Sequence, residues 1–274
     1  MSAFEAEYQT LEIIDQQPLL TVRLNRPTFA NAMSLEMVME LVAVMETVKS
    51  SGHRVLLIEG AGDHFCAGGD IKDMQNAGGD TKKLRDFNRA FGHMIETADQ
   101  LPVVVICSLK GAVMGGGFGL ACVSDYAIAE QGARFALPET SLGIIPAQIA
   151  PFVVKRIGLT QARRLALLGQ KISAAEALSL GLVHQLADSD EHHQQLIQQG
   201  IQSALKCAPQ ATANTKALLH AVNNSVDTEN GQSVSQLLDQ AAEDFAAAVG
   251  NEGREGARAF MEKRQPNWAS DHDK

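Results

Sequence analysis

Two glycine runs and one isolated carboxylate are the chemistry-bearing features of this 274-residue chain. FCAGGDIK (Phe65 to Lys72) and MGGGFG (Met114 to Gly119) each follow an apolar run, and the second leads into a helical pattern. Bare backbone N–H groups at such a place are donors with a helix dipole behind them, so they can hold a phosphate or an oxyanion formed during a reaction. The phosphate reading fails on spacing. There is no GxxxxGKS/T, the glycines at 115, 116, 117 and 119 do not form GxGxxG, and no GxSxG elbow occurs. In FALPETSLGIIP (Phe135 to Pro146), Glu139 stands among apolar residues. Burial there would raise its pKa toward a range useful for proton transfer. Against these readings stand plainer ones: tight turns where backbones pack closely, and a glutamate capping a local turn.

The elements that must position these residues are legible from periodicity. Leu11 to Asp15 and Leu19 to Leu24 are strand-like, Ser34 is placed to cap a helix, and Leu35, Val38, Leu41, Val42, Met45 and Val48 recur at helical spacing. VLLIEG after Arg54 and the run from Val103 to Ser108 are short buried strands, Lys82 to Asp99 is a helix with Leu84, Phe87, Phe91 and Ile95 inward, and Tyr126 to Glu130 is a return strand. Strands alternating with helices point to an α/β body with crossover connections. Strand signals cease near Leu196, so the expected organisation is a core domain over residues 1–194 and an all-helical region over 195–274. The run after Lys263 is expected to fray.

Composition narrows the function. A formal charge of −9 weighs against nucleic acid or an anionic membrane as partner. Cys66, Cys107, Cys122 and Cys207 have no CxxC spacing and no clustered histidines, so free thiols and no metal are expected. The acidic N-terminus and the lack of a ~20-residue apolar run point to a cytoplasmic protein. The pair His192-His193 is expected to be solvent-exposed.

Order and content together carry a resemblance. LNRP with NAMS, FCAGGDIK, the triple glycine, D-Y-AIA, F-x-x-PE-x-x-LG-x-IP and the ending EG-x-x-AF-x-EKR-x-P-x-W occur in one sequence. The chain thereby resembles the crotonase (enoyl-CoA hydratase/isomerase) superfamily over nearly its whole length. The resemblance implies an α/β spiral of ββα repeats with an all-helical C-terminal region that makes trimers, usually paired as dimers of trimers. It implies no permanently bound cofactor, with a CoA thioester as substrate. It places the amides of Gly69 and Gly116 around the thioester oxygen and makes Glu139 the acid/base. Thr28, Ala30, Ala67, Asp70, Ile71 and Lys72 would lie along the CoA moiety, with Thr28 where many relatives carry a lysine. Phe118, Gly119 and Gln148 would border the acyl pocket.

One departure from the family pattern matters. Ordinary enoyl-CoA hydratases use two glutamates, and the position of the first is Gly119 here. The expected consequence is a single acid/base and a pocket widened on that side. HFCAGGDIKDM, GGGFGLACVSD and the PAQIAPFV segment resemble the branch that hydrates branched glutaconyl-CoA esters, methylglutaconyl- or isohexenylglutaconyl-CoA, the latter in acyclic terpene breakdown. A lone glutamate also suits a family isomerase that moves a double bond from the 3- to the 2-position. A non-catalytic CoA-ester-binding or RNA-binding homologue is the third reading. The helix after Ser34 has Lys49 as its only basic residue, which is poor material for RNA.

Overall fold

The computed structural model describes residues 4, 7–76, 79–225 and 233–269, and the chain divides into two compact units, Met1–Ile201 and Gln202–Lys274. In chain order the elements are β1 (Leu11–Gln16), β2 (Leu19–Leu24), α1 (Leu35–Val48), β3 (Val55–Gly60), α2 (Ile71–Asn76), α3 (Thr81–Asp99), β4 (Val104–Leu109), β5 (Ala112–Met114), α4 (Gly116–Val123), β6 (Tyr126–Glu130) and β7 (Arg134–Ala136). They continue with α5 (Ala150–Leu168), β8 (Ile172–Ser173), α6 (Ala174–Ser179), β9 (Gln185–Ala187), α7 (Asp190–Lys206), α8 (Pro209–Ser225), α9 (Val234–Gly250) and α10 (Glu252–Met261).

A six-stranded sheet in the order β1-β2-β3-β4-β6-β9 forms the centre of the first unit. Only the β1–β2 pair is antiparallel, and the remaining pairings are parallel. The parallel strands β3 and β4 are almost continuously apolar because helices cover both faces of such a sheet. α1 begins where Ser34 Oγ accepts from Met37 N at 3.2 Å, a cap worth about 1 kcal/mol. Its Met37, Val38, Leu41, Val44, Met45 and Val48 are buried, whereas Met39 lies on the outer face.

The second sheet is small and decides where the chemistry sits. β5 pairs in parallel with β7, Ala112 opposite Arg134 through Met114 opposite Ala136, and β7 pairs with β8. Its other flank is extended by single bridges, Cys66 to Val113 and Met33 to Gly69. The two glycine runs and the segment entering the Glu139 turn are therefore laid side by side. Residues more than seventy positions apart in sequence leave this sheet at one edge.

The regular elements of the second unit among its described residues are all helices, and its tail is tied down. Arg264 holds the Glu255 carboxylate with two nitrogens at 2.7 and 3.0 Å, Asn267 N donates to Glu255 at 2.9 Å, and Trp268 Nε1 donates to Lys206 O at 3.2 Å. The expected fraying thus does not occur over residues 264–269; residues 270–274 lie outside the described set. A second expectation also fails. His193 is buried, with Nδ1 3.3 Å from Glu130 Oε1, because it falls on the inward face of α7. Among the described residues no helix is long and apolar enough to cross a membrane, and no group of acids, histidines and cysteines could hold a metal ion.

Candidate active site

The edge of the small sheet opens onto a cavity of about 150 Å³. Gly68 and Gly69 line it from the first glycine run, Gly115 and Gly116 from the second, and Glu139 from the turn after β7. These pieces meet closely. A Cβ built on Gly115 would lie 3.2 Å from Glu139 Oε1, 3.3 Å from Gly68 Cα and 3.9 Å from Gly69 N. Gly115 also sits at φ 50°, a left-handed conformation that favours glycine.

Hydrogen bonding holds the loops while sparing two donors. Phe65 N, Cys66 N and Met114 N bind across to Lys110 O, Ala112 O and Cys66 O at 2.8, 2.9 and 2.9 Å. Asp70 N donates to Met33 O at 2.8 Å, Gly115 N to Ala136 O at 3.2 Å, and Gly68 N to Cys66 Sγ at 3.4 Å. Gly69 N and Gly116 N, between these anchored neighbours, donate to no group of the described protein. Gly116 is the first residue of α4, where a helix leaves its N–H unpaired. Two fixed, unpaired amides beside a cavity can stabilise charge that develops on an oxygen placed there, without reorganisation at that moment.

Glu139 opens a short 3₁₀ turn, Glu139–Leu142, that closes at Gly143. Thr140 Oγ1 donates to Ala166 O at 2.8 Å and anchors that turn to α5. The Glu139 carboxyl is mostly desolvated, and its Oε2 is buried with no hydrogen-bond partner. Burial raises its pKa above the ordinary 4.5, only partly opposed by its own backbone N–H. Among the described residues that line the cavity it is the only ionisable side chain. The rest of the wall is largely apolar, including Phe87, Phe91, Leu142, Ile145 and Ile149.

The other expected site residues divide. Ala67, Ile71 and Gln148 line the cavity. Thr28, Ala30, Asp70 and Lys72 do not. They lie on or beside the turn at Pro27–Phe29, where Ala67 N donates to Ala30 O at 3.0 Å. There the Asp70 carboxylate pairs with Arg26 at 2.9 Å, and the exposed Phe29 ring has Arg26 at 4.8 Å and Lys72 at 5.6 Å.

Phe118 is fully buried, edge-on to Phe135 at 6.5 Å, and does not reach the cavity. Gly119 does not line it either, and the expected widening is absent. A Cβ on Gly119 would lie 2.7 Å from Ile149 Cγ2 and 3.1 Å from Ile95 Cδ1, so those side chains already fill the space.

Asn88 was not legible as a site residue. It lines the cavity from α3 and accepts a 3.0 Å hydrogen bond at Oδ1 from Gln148 Nε2. Only its position one residue after the inward-facing Phe87 could have hinted at this. None of the buried thiols lines the cavity, although Cys66 Sγ helps hold the first glycine run by accepting from Gly68 N. Desolvation pushes Cys66 up to about 11 and Cys107 to about 12, with Cys122 higher still.

Residues 15–271 match the family described as enoyl-CoA hydratase/isomerase. The chain belongs to the enoyl-CoA hydratase/isomerase family. The solved enoyl-CoA hydratase/isomerase from Marinobacter aquaeolei is 52% identical, with a TM-score of 0.90 over 96% of this chain and 100% of that one. AtuE of Pseudomonas aeruginosa is 51% identical, also with a TM-score of 0.90, over 96% of this chain and 100% of its own. Among curated relatives, the 1,2-epoxyphenylacetyl-CoA isomerase of Escherichia coli K12 is 31% identical over 92% of this chain and 95% of its own length. As a member of the enoyl-CoA hydratase/isomerase family, the chain has the crotonase-like α/β fold with a helical C-terminal region. The family is one of enzymes that act on CoA thioesters.

Proposed function

We propose that this chain is an enoyl-CoA hydratase that adds water across the 2,3-double bond of a branched glutaconyl-CoA thioester, the isohexenylglutaconyl ester being favoured. One observation carries the reading. A single desolvated carboxyl, Glu139, faces the same cavity as the two unpaired amides of Gly69 and Gly116. In the proposed reaction Glu139 takes a proton from water as the water oxygen bonds to C3. The displaced π electrons move onto the thioester oxygen, which rests on the Gly69 and Gly116 amides. The enolate then collapses as C2 takes the proton from Glu139. The carboxylate is restored, and hydrogen and hydroxyl have been added on one face.

The CoA arm is assigned to the turn carrying Thr28 and Ala30 and to Ala67, Asp70, Ile71 and Lys72. In support, Phe29 offers an exposed ring there with two cations beside it. The branch at C3 takes its room from the apolar side of Phe91, Leu142 and Ile145, since Ile149 and Ile95 close the space next to Gly119. That same closure favours a second reading, a 3-to-2 enoyl-CoA isomerase. With no second acid admitted, one carboxylate can shuttle a proton between C4 and C2.

Product analysis in deuterated water separates the two. A hydratase turns the branched glutaconyl-CoA ester into a 3-hydroxy product carrying one deuterium at C2. An isomerase turns a 3-enoyl-CoA into a conjugated ester with no hydroxyl. Failure to consume the conjugated branched ester sinks the hydratase reading.

A further inference from the structure

The mechanism leaves two polar groups of the cavity unused, the side-chain amides of Asn88 and Gln148. Their orientation is set by what surrounds them. The Gln148 Oε1 packs directly over Gly92 in α3, in contact with the place where a Cβ would be. Arg89 Nη1, which can only donate, crowds the same place at 2.7 Å. The oxygen of Gln148 therefore belongs there, and its Nε2 turns to Asn88 Oδ1 at 3.0 Å. Gly92 is buried in the interior of α3, a position where glycine weakens a helix relative to alanine. Its lack of a side chain is what admits the Gln148 amide.

With one lone pair of Oδ1 engaged by Gln148, the donors Asn88 offers are its Nδ2 N–H groups, which donate to nothing in the described protein. Apart from Glu139, the other side chains that line the cavity among the described residues are apolar, and none is a lysine or arginine. An acyl chain without a second oxygen would cover these donors and leave them unpaired. A site built to donate hydrogen bonds rejects a ligand that cannot accept them.

We propose that Asn88, held by Gln148, is the specificity-determining residue that hydrogen-bonds an acceptor oxygen on the acyl group beyond the thioester, a distal carboxylate. This deepens the branched glutaconyl reading and rests on it for the identity of that carboxylate. Asn88 contributes binding and discrimination. Proton transfer stays with Glu139.

The test compares two 3-branched 2-enoyl-CoA esters, one ending in a carboxylate and the other in a methyl group of similar bulk. In the wild type the carboxylate ester is preferred in kcat/KM. Asn88→Leu lowers that preference ratio by about 10- to 100-fold, mainly through KM for the carboxylate ester. Asn88→Asp, which sets like charge against the ligand, inverts the ratio. An equal fall for both esters, carried in kcat, overturns the proposal and assigns the pair to holding the attacking water.

Calorimetric titration of wild type and Asn88→Leu with the saturated, unreactive analogues of both esters gives the same ratio as Kd values. It therefore decides the matter even if neither ester turns over, an outcome that would sink the hydratase reading alone. Should Asn88→Leu fail to fold by circular dichroism, Asn88→Ser and Gln148→Leu are read in the same titration. A ratio unchanged in both overturns the proposal.

Discussion

The two glycine runs look alike in sequence and are glycine-rich for different reasons. In the second run nearly every missing side chain is demanded by packing. A Cβ on Gly117 would lie 2.7 Å from Cys66 Cβ, one on Gly116 2.8 Å from Met33 Sδ, and one on Gly119 2.7 Å from Ile149 Cγ2. In the first run, a Cβ on Gly69 would meet nothing within 4 Å. The folded chain does not need glycine at 69. In the proposed reaction the thioester oxygen approaches the Gly69 amide, and a side chain at that position would stand in its way. Glycine in the second loop thus answers to packing, whereas in the first Gly68 answers to its φ of 111° and Gly69 stands open beside the cavity.

Replacing the group that both loops face has the largest expected effect. Glu139→Gln should lower the hydration rate by about 10²–10⁴-fold, read from loss of the conjugated thioester absorbance. Near-normal turnover would remove Glu139 from the reaction. The pH dependence follows from its raised pKa. The wild-type rate should fall as pH drops through that pKa, because the base becomes protonated. Stability runs the opposite way. Burial favours the neutral acid, so the stability it carries is complete below the ordinary value of 4.5 and is lost as pH rises through the raised value. The gap in Tm between Glu139→Gln and wild type should therefore be largest above the raised pKa and close in acid. A gap that widens in acid would contradict the burial.

The next two substitutions separate the loops. Gly69→Ala should leave Tm within about 1 °C of wild type and still lower kcat/KM about 10²-fold, since it displaces the substrate oxygen by a methyl radius. Gly117→Ala should do the converse, costing about 1–3 kcal/mol of stability through the collision with the Cys66 Cβ. At roughly 2–4 °C of Tm per kcal/mol for a chain of this size, a thermal melt resolves that loss. If Gly69→Ala melts as early as Gly117→Ala, the contrast between the loops fails.

The last comparison, within the second loop, reads only the difference between two such losses. Gly119→Ala should cost about 1–3 kcal/mol alone, and much less when made in an Ile149→Ala background, which removes the Cγ2 methyl 2.7 Å from the new Cβ. Additive losses in the double variant would show that Ile149 does not occupy the space.

Much of the fold was legible because it rests on local patterns. The apolar runs of β3 and β4, the Ser34 cap and the helical stripe of α1 formed where periodicity placed them. Glu139 stood out by its apolar flanks and by family resemblance. The rest depended on partners remote in sequence. Nothing near Gly119 announces that Ile149, thirty positions later, fills its empty side. Nothing near Asn88 announces Gln148, which is 60 residues away. His193 sits in a polar string, yet one turn of α7 brings it against Glu130.

The amino-acid order by itself determined which segments become strands and helices, where the backbone is left bare, and that one carboxyl stands among apolar neighbours. These are short-range matters of side-chain period, capping and backbone freedom. The tertiary structure alone decided which bare positions stay empty and which amide donors remain unspent. The volume left by a missing side chain belongs to whichever distant residue packs into it, and a donor is spare only once every other acceptor has been placed.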